Sequence, residues 1–204
     1  MGRFSEYIGS QFGNPRGIIG TICCLIMNKI NRRMYESISS CIKIDKNATI
    51  LDIGYGNGYL INKIYHKTHA NIFGIDISDD MKKIASKRNS KAVNEGKVKL
   101  SIGDCCDLKF DDKLFDIVTT VNTIYFWSDT KKGLSEIYRT LKDDGVFYNA
   151  VYSKQWLNNL SYTKKGFKIF EKNDYIELGK KAGFSKVIID EVSSGKSYVI
   201  KYLK

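Results

Sequence analysis

The segment over residues 50–60, with the sequence ILDIGYGNGYL, places the strongest constraint on how this chain can fold. An apolar run that contains Asp52 leads into three glycines at two-residue spacing, Gly54, Gly56 and Gly58, and an apolar helical pattern follows. This order predicts a strand, a tight turn and a helix, because glycine adopts backbone conformations that other residues rarely reach. Such a turn lets the backbone approach a nucleotide-like ligand closely.

The spacing of these glycines also narrows the class of ligand. A dinucleotide fingerprint that began at Gly54 would need glycine at position 59, where the chain has Tyr59. A Walker-type phosphate loop would need four residues between its glycines and then Gly-Lys-Ser/Thr, which this segment lacks. An oxidoreductase that uses a nicotinamide cofactor is therefore kept only as an alternative from another class.

Short apolar segments and segments with helical periodicity alternate after the glycine turn. The predicted strands are 50–53, 72–76, 98–102, 115–121, 145–151, 185–191 and 196–203, and the predicted helices are 58–66, 79–94, 129–141 and 173–182. The last two strands are joined by a link so short that only an antiparallel hairpin fits. We expect an α/β fold: a doubly wound, Rossmann-like, seven-stranded mixed sheet with a C-terminal antiparallel hairpin and helices on both faces.

The residues before the first strand form a separate part of the chain. Pro15 suits the first turn of a helix, and the apolar positions that follow it predict a helix packed on the rest of the protein. We expect residues 1–45 to be an N-terminal helical cap or lid, and residues 46–204 to be the ligand-binding domain. Tyr7 would contact the substrate if the first dozen residues close over it, and the alternative for that stretch is a frayed tail.

The composition argues against a metalloprotein, a disulfide-stabilised protein and a membrane-spanning protein. Four of the five cysteines lie in adjacent pairs, a spacing that indicates neither a zinc site nor a disulfide framework, so we expect free thiols and no metal. The apolar run over 18–27 is too short to cross a membrane, and no signal peptide is evident. We expect a cytoplasmic protein.

The net charge of +11 would suit a nucleic-acid partner. The basic residues are, however, spread along the chain and form no concentrated patch. Solvated lysine faces are therefore the preferred interpretation, with a small-molecule or peptide partner in place of nucleic acid. The sequence indicates no oligomeric state.

Four motifs occur in order along the middle of the chain. They are LDIGYGNG (51–58), GIDIS (74–78), GDCCDLKF (103–110) and FDIVTTVNTIYFW (115–127). With them the chain resembles the class I S-adenosylmethionine-dependent methyltransferases, and among these the small-molecule type of ubiquinone and menaquinone biosynthesis. The resemblance implies S-adenosylmethionine as cofactor, and a parallel sheet that a terminal hairpin closes.

The resemblance also implies which residues bind the cofactor. They are Asp52, Gly54, Tyr55, Gly56, Gly58, Asp76, Ile77, Gly103, Asp104, Cys105, Val121 and Asn122. Asp76 would accept both ribose hydroxyls, in charge-assisted hydrogen bonds of about 1.5–3 kcal/mol each. Asp52 would orient the amino end of the cofactor, and Asp104 would bind the adenine amino group. Each aspartate has the alternative of stabilising a turn, and Ile77 has the alternative of a core position.

A general base for the transfer is harder to identify. Tyr125, Glu6 and Glu171 are the candidates, because both histidines follow the glycine turn and lie in the wrong region. Tyr125, together with Tyr7 and Trp156, is also a candidate for contact with the substrate. In the absence of a clear base, the nucleophile could already be acidic, such as a carboxylate or an acidic phenol, and the lysine excess would suit such an anion.

The sequence thus predicts transfer of a methyl group, by in-line displacement, to a small molecule or a peptide end, with an acidic oxygen as one option. One alternative is an RNA or protein acceptor, which would require a focused basic groove. The other is a subunit that binds S-adenosylmethionine without catalysis.

Overall fold

A mixed sheet of seven strands organises residues 26–43, 46–164 and 166–204, the part of the chain that the computed structural model describes. The strands are β1 Thr49–Ile53, β2 Asn71–Asp76, β3 Val98–Ile102, β4 Phe115–Val121, β5 Leu141–Tyr152, β6 Lys186–Ser193 and β7 Ser197–Leu203. They lie in the order β3-β2-β1-β4-β5-β7-β6. The first five strands are parallel, and β7 runs antiparallel between β5 and β6. The predicted fold class and its terminal hairpin are confirmed.

Helices connect the strands. They are α1 Arg32–Cys41, α2 Tyr59–Thr68, α3 Asp79–Arg88, α4 Ser90–Asn94, α5 Thr130–Thr140, α6 Lys154–Asn158 and α7 Lys172–Ala182. Short 3₁₀ turns occur at Ile124–Phe126 and Ser161–Thr163. Of the described helices, none is long and apolar enough to reach across a membrane.

The single helix predicted over 79–94 is divided at Asn89. The side-chain amide of Asn89 donates hydrogen bonds to the carbonyl of Ala85 at 2.9 Å and to that of Gly58 at 3.1 Å. Such a side chain competes with the backbone for hydrogen bonds and favours a helix boundary. The bond to Gly58 also ties α3 to the start of α2, where a Cβ on Gly58 would lie 2.6 Å from the Asn89 amide nitrogen.

The apolar core lies on both faces of the central strands. Phe115 and Val118 of β4 are fully buried, as expected for a strand covered on both sides. Helix α1 lies over β4, β5, β6 and β7 and beside α2, and it buries Met34 and Ile38 there. Helix α1 therefore packs on the sheet, whereas Ile26 and Ile30, two of the apolar positions expected to pack before it, are 53% and 49% exposed. Glu6 and Tyr7 lie outside the described residues, and the role of 1–45 as a lid stays a prediction.

Candidate functional site

A cavity of about 270 Å³ opens at the edge of the sheet where the parallel strands end. The carboxyl ends of such strands are where open α/β sheets bind ligands. The predicted cofactor residues that line the cavity are Asp52, Gly54, Tyr55, Gly56, Asp76, Ile77, Gly103, Asp104, Cys105, Val121 and Asn122. Tyr125 lines it as well, whereas Gly58 and Trp156 do not.

In the turn after β1, glycine is required at positions 54 and 56 for two different structural reasons. Both Gly54 and Gly56 have positive φ, +67° and +53°, which strains any residue with a side chain. A Cβ on Gly54 would lie 2.4 Å from Cγ2 of Thr123, so the strand end could not approach that residue so closely. A Cβ on Gly56 would meet no protein atom within 4 Å, because it would project into open space. Gly56 therefore leaves room beside the cavity for a ligand.

Asp76 at the end of β2 is buried and oriented by backbone amides. Its Oδ2 accepts a hydrogen bond from the Gly56 amide at 2.8 Å, and its Oδ1 accepts one from the Ser78 amide at 2.9 Å. Burial raises the pKa of Asp76, and these backbone hydrogen bonds act in the opposite direction. A carboxylate has about four acceptor positions, so acceptor capacity remains for a hydroxyl donor beside the backbone amides of Gly56, Ser78 and Ile77. This arrangement fits a ribose diol.

Asp52 near the end of β1 is 2% exposed and lines the same cavity. Burial raises its pKa to about 7, a hydrogen bond from Thr119 Oγ1 at 2.8 Å opposes that rise, and the charge of Asp76 adds to it. A buried carboxylate is stabilised by a positively charged partner. The position of Asp52 therefore fits the ammonium end of an amino-acid moiety.

The loop after β3 contributes a turn and a small apolar surface. Asp104 accepts a hydrogen bond from the Cys106 amide at 2.9 Å and is exposed, so it closes the turn while it lines the cavity. Ile77 is 53% exposed and lines the cavity, which rules out the core position and leaves its side chain available to cover a planar group. Burial raises the pKa of the Cys105 thiol far above its usual range, so this cysteine is not a nucleophile.

Asp104, Cys105 and Cys106 bring three donor atoms within 4.8 Å of one another. Sγ of Cys106 donates to the carbonyl of Asp129 at 3.1 Å and accepts from the Ser128 hydroxyl at 3.3 Å, and Asp104 accepts from the Cys106 amide. Because these atoms are already bonded within the protein, we assign no metal to this cluster.

Beyond the glycine turn, the cavity wall becomes aromatic. Its aromatic residues there are Tyr35, Tyr125, Phe126, Trp127, Tyr152, Tyr162 and Phe167. Phe167 is central to this wall, since its ring centroid lies 4.6 Å from that of Phe126 and 5.8 Å from that of Tyr125. The aromatic wall, as we call these seven residues, brings together α1, the turn after β4 and the loop after β5.

Tyr125 is buried in this wall, and its geometry argues against the predicted role as a general base. Its hydroxyl oxygen accepts a hydrogen bond from the Tyr152 amide at 2.6 Å, and the hydroxyl donates to Oδ1 of Asn122 at 3.2 Å. Burial raises the pKa of Tyr125 well above its ordinary value. The hydroxyl therefore stays protonated and holds two neighbouring segments in place.

The other predicted residues lie away from the cavity. Glu171 pairs with Lys154 at 2.9 Å on the surface and does not line it. Trp156 packs beneath Lys196, whose Nζ lies 3.9 Å from the centroid of the indole ring. The position of an aromatic residue within a loop does not indicate which side it faces, and this explains why the sequence placed Trp156 at the substrate.

Sequence reasoning missed several polar or aromatic residues that line the cavity, among them Asn31, Tyr35 and Tyr152. Asn31 and Tyr35 belong to the N-terminal helical segment, and Tyr152 ends β5. A signal existed for Asn31, because a polar residue follows directly on an apolar helical face that was expected to pack. Its partner Asn122 is 91 residues away in the chain, so sequence alone could not pair them.

Comparison with known proteins identifies the family. A family model described as "Methyltransferase domain" matches residues 51–149. YrhH of Bacillus subtilis, whose name describes it as a methyltransferase, is 32% identical over 124 residues, which cover 60% of this chain and 68% of YrhH. This chain belongs to the methyltransferase domain family. It is a class I S-adenosylmethionine-dependent methyltransferase, and the oxidoreductase alternative is thereby excluded.

Two further similarities concern the sequence of one relative and the fold of a solved structure. The demethylmenaquinone methyltransferase of Bacteroides fragilis is 28% identical over 145 residues, which cover 71% of this chain and 59% of that protein. A chain in the complex between the Haloferax volcanii Trm112 methyltransferase activator and a methyltransferase has the same fold, with a TM-score of 0.73 and 20% identity. That likeness covers 87% of this methyltransferase and 91% of the other chain. S-adenosylmethionine is the cofactor, as predicted.

Proposed function

We propose that this methyltransferase acts on a small, uncharged acceptor that carries a ring and binds against the aromatic wall. The observation that carries the proposal is the composition of the cavity. The seven residues of the aromatic wall and Tyr55 line it, and no lysine, arginine or histidine does so within the part of the chain that the structure describes. Flat apolar walls favour flat apolar ligands. One relative is named for methylation of demethylmenaquinone, a ring compound.

We assign the half of the cavity beside the glycine turn to S-adenosylmethionine. Asp76 would accept from the ribose, Asp52 would pair with the ammonium group, and the open side of Gly56 would leave room between them. When bound there, the cofactor supplies an electrophilic methyl group. Val121 and Asn122, at the end of β4, lie where this half meets the aromatic wall.

The charge of the cavity disfavours an anionic acceptor such as a free carboxylate or the C-terminus of a peptide. Asp52, Asp76 and Asp104 all line the cavity, and no basic side chain among the described residues balances them there. With the cofactor bound, Asp52 would pair with its ammonium group, and an acceptor anion would still find no basic side chain among the described lining residues, which is costly in a partly desolvated site. The lysine excess of the chain therefore does not indicate the charge of the acceptor.

The cavity also lacks a histidine or glutamate among its described lining residues. Its carboxylates, Asp52, Asp76 and Asp104, are assigned to the cofactor, so a nucleophile that needs strong activation would find no further base among the described lining residues. An electron-rich ring carbon or an acidic ring hydroxyl needs little activation, and either is consistent with the aromatic wall. The chain then contributes mainly by positioning two ligands, an effect worth roughly 7–11 kcal/mol.

We further infer that residues 26–43 cover the acceptor side of the cavity. Met27, Asn28, Asn31 and Tyr35 line it from this segment, and α1 is anchored to the sheet through buried Met34. These contacts support a cap over the acceptor side of the cavity that is formed by residues 26–43 and packed on the sheet.

Methyl transfer from labelled S-adenosylmethionine tests the class of acceptor. We expect label to appear on 1,4-naphthohydroquinone, a neutral ring compound, and not on octanoate, an apolar carboxylate of similar size. The count of label in the extracted product is the measurement. Transfer to octanoate in preference to the hydroquinone would contradict the proposal.

A short structured RNA and a lysine-rich peptide serve as further acceptors in the same assay. An RNA or protein acceptor predicts transfer that weakens strongly as salt is raised. Transfer to the ring compound should be nearly insensitive to salt, because the described cavity offers no cationic side chain to screen.

A further inference from the structure

A hydrogen-bond network connects the N-terminal helical segment to the ends of β4 and β5. Asn122 Nδ2 donates to Oδ1 of Asn31 at 3.0 Å, and the Tyr152 hydroxyl donates to the same oxygen at 2.8 Å. The Tyr125 hydroxyl completes the network through its hydrogen bonds to Asn122 and Tyr152. All four residues line the cavity.

One backbone amide orients these hydrogen bonds. The N–H of Tyr152 can only donate, so the oxygen of Tyr125 accepts. The Tyr125 hydroxyl then donates to Oδ1 of Asn122 at 3.2 Å, which is the nearer of its two acceptors, the other being the Tyr152 carbonyl at 3.4 Å. That places the amide nitrogen of Asn122 toward Asn31, where it meets Oδ1. The carbonyl oxygen of the Asn31 side chain therefore accepts its hydrogen bonds from Asn122 and Tyr152.

In this arrangement the side-chain amide nitrogen of Asn31, Nδ2, has no acceptor within the network. It makes no hydrogen bond to any residue that the structure describes, although Asn31 is only 3% exposed. Asn31 lies between the helical residues 26–30 and α1, and its backbone N–H donates to the Met27 carbonyl at 2.8 Å. Its side chain caps no helix and takes part in the network at the cavity. The Nδ2 nitrogen is not one of the fully enclosed polar atoms without a partner among the described residues. It is therefore accessible from the cavity that Asn31 lines, where the oxygen of a ligand can accept its hydrogen bond.

We propose that Nδ2 of Asn31 donates a hydrogen bond to an oxygen substituent on the ring of the acceptor. This inference rests on the proposed function, and it adds the chemistry of the substituent. An N–H donor pairs with a carbonyl or hydroxyl oxygen and leaves an amino group unpaired. Asn31 is thus a specificity-determining residue that selects ring oxygen compounds over ring amines.

Calorimetric binding of two probes to the full chain, saturated with S-adenosylhomocysteine, tests the proposal. The probes are 1-tetralone, whose ring carbonyl only accepts hydrogen bonds, and 1-naphthylamine, of similar size, whose amino group mainly donates them. The native protein should prefer 1-tetralone. In Asn31→Asp the new carboxylate still accepts from Asn122 and Tyr152, but it replaces the free donor by an acceptor. The preference for 1-tetralone should fall by about fivefold or more.

A second variant and a measurement of cofactor-product affinity make this test decisive. Asn31→Ala should also lose the preference, and the affinity for S-adenosylhomocysteine should stay unchanged in both variants, which separates a local effect from misfolding. A variant that keeps the native preference would overturn the role of Asn31, and so would failure of the native protein to bind 1-tetralone. If native protein methylates the hydroquinone while Asn31→Asp keeps the native preference, only the role of Asn31 fails and the proposed function stands.

Discussion

At the scale of the residue, Asp76 illustrates how backbone amides prepare a carboxylate for a ligand. Gly56 and Ser78 hold both of its oxygens, so replacement by asparagine places an amide N–H against one of these backbone donors. We expect Asp76→Asn to weaken binding of S-adenosylhomocysteine at least about tenfold, because charge-assisted hydrogen bonds contribute about 1.5–3 kcal/mol each. Isothermal titration calorimetry measures this loss.

Asp79→Asn is the matched control for that substitution. It removes the same charge three residues further along, at an exposed position that does not line the cavity. Its affinity should equal that of the native protein. Equal affinities for Asp76→Asn and the native protein would remove the ribose role of Asp76.

At the scale of the element, helix α1 decides whether the N-terminal segment is part of the folding unit. Ile38 is fully buried on the face of α1 that packs on the sheet. Ile38→Ala should lower the free energy of unfolding by about 2–5 kcal/mol, as expected for truncation of a buried aliphatic side chain. Urea denaturation followed by circular dichroism provides the measurement.

Glu36→Ala is the control within the same helix. Glu36 forms an exposed ion pair with Arg32 at 2.8 Å, and exposed pairs of this kind contribute little. A native unfolding midpoint for Ile38→Ala would show that α1 detaches without cost to the domain, and the inferred cap would then be a mobile one.

At the scale of the whole molecule, the sheet collects negative charge at one edge, and this couples stability to pH. The pKa of Asp52 is raised to about 7 from 3.8, so the unliganded folded state holds a proton that the unfolded chain releases in that interval. Asp52 therefore makes the protein progressively less stable as pH rises from about 4 to about 7. The stability of the native protein relative to Asp52→Asn should fall over this range, as measured by urea denaturation at several pH values.

The comparison with Asp52→Asn is necessary because other carboxyl groups act in the opposite sense. The pKa of Glu136, for example, is lowered by its hydrogen bond to Arg139, and this contributes stability as pH rises. Both proteins share that contribution, so the difference isolates Asp52. A difference that stays constant between pH 4 and pH 8 would contradict a buried carboxyl group with a raised pKa.

The sequence alone determined the alternation of strands and helices, the antiparallel end of the sheet and the glycine turn. These features follow from local periodicity and from backbone freedom at Gly54 and Gly56, which neighbours in the chain decide. The positions of Asp52 and Asp76 at the cavity followed too, because the end of a parallel strand fixes where its last residues lie.

Only the tertiary structure decided the acceptor side of the site. The pairing of Asn31 with Asn122, the burial that removes Tyr125 as a base, and the position of Trp156 under Lys196 depend on contacts between segments far apart in the chain. Helical periodicity predicted that a face would pack, but not which side chain would reach the cavity. Long-range packing sets burial and hydrogen-bond partners, and these determine what each side chain can do chemically.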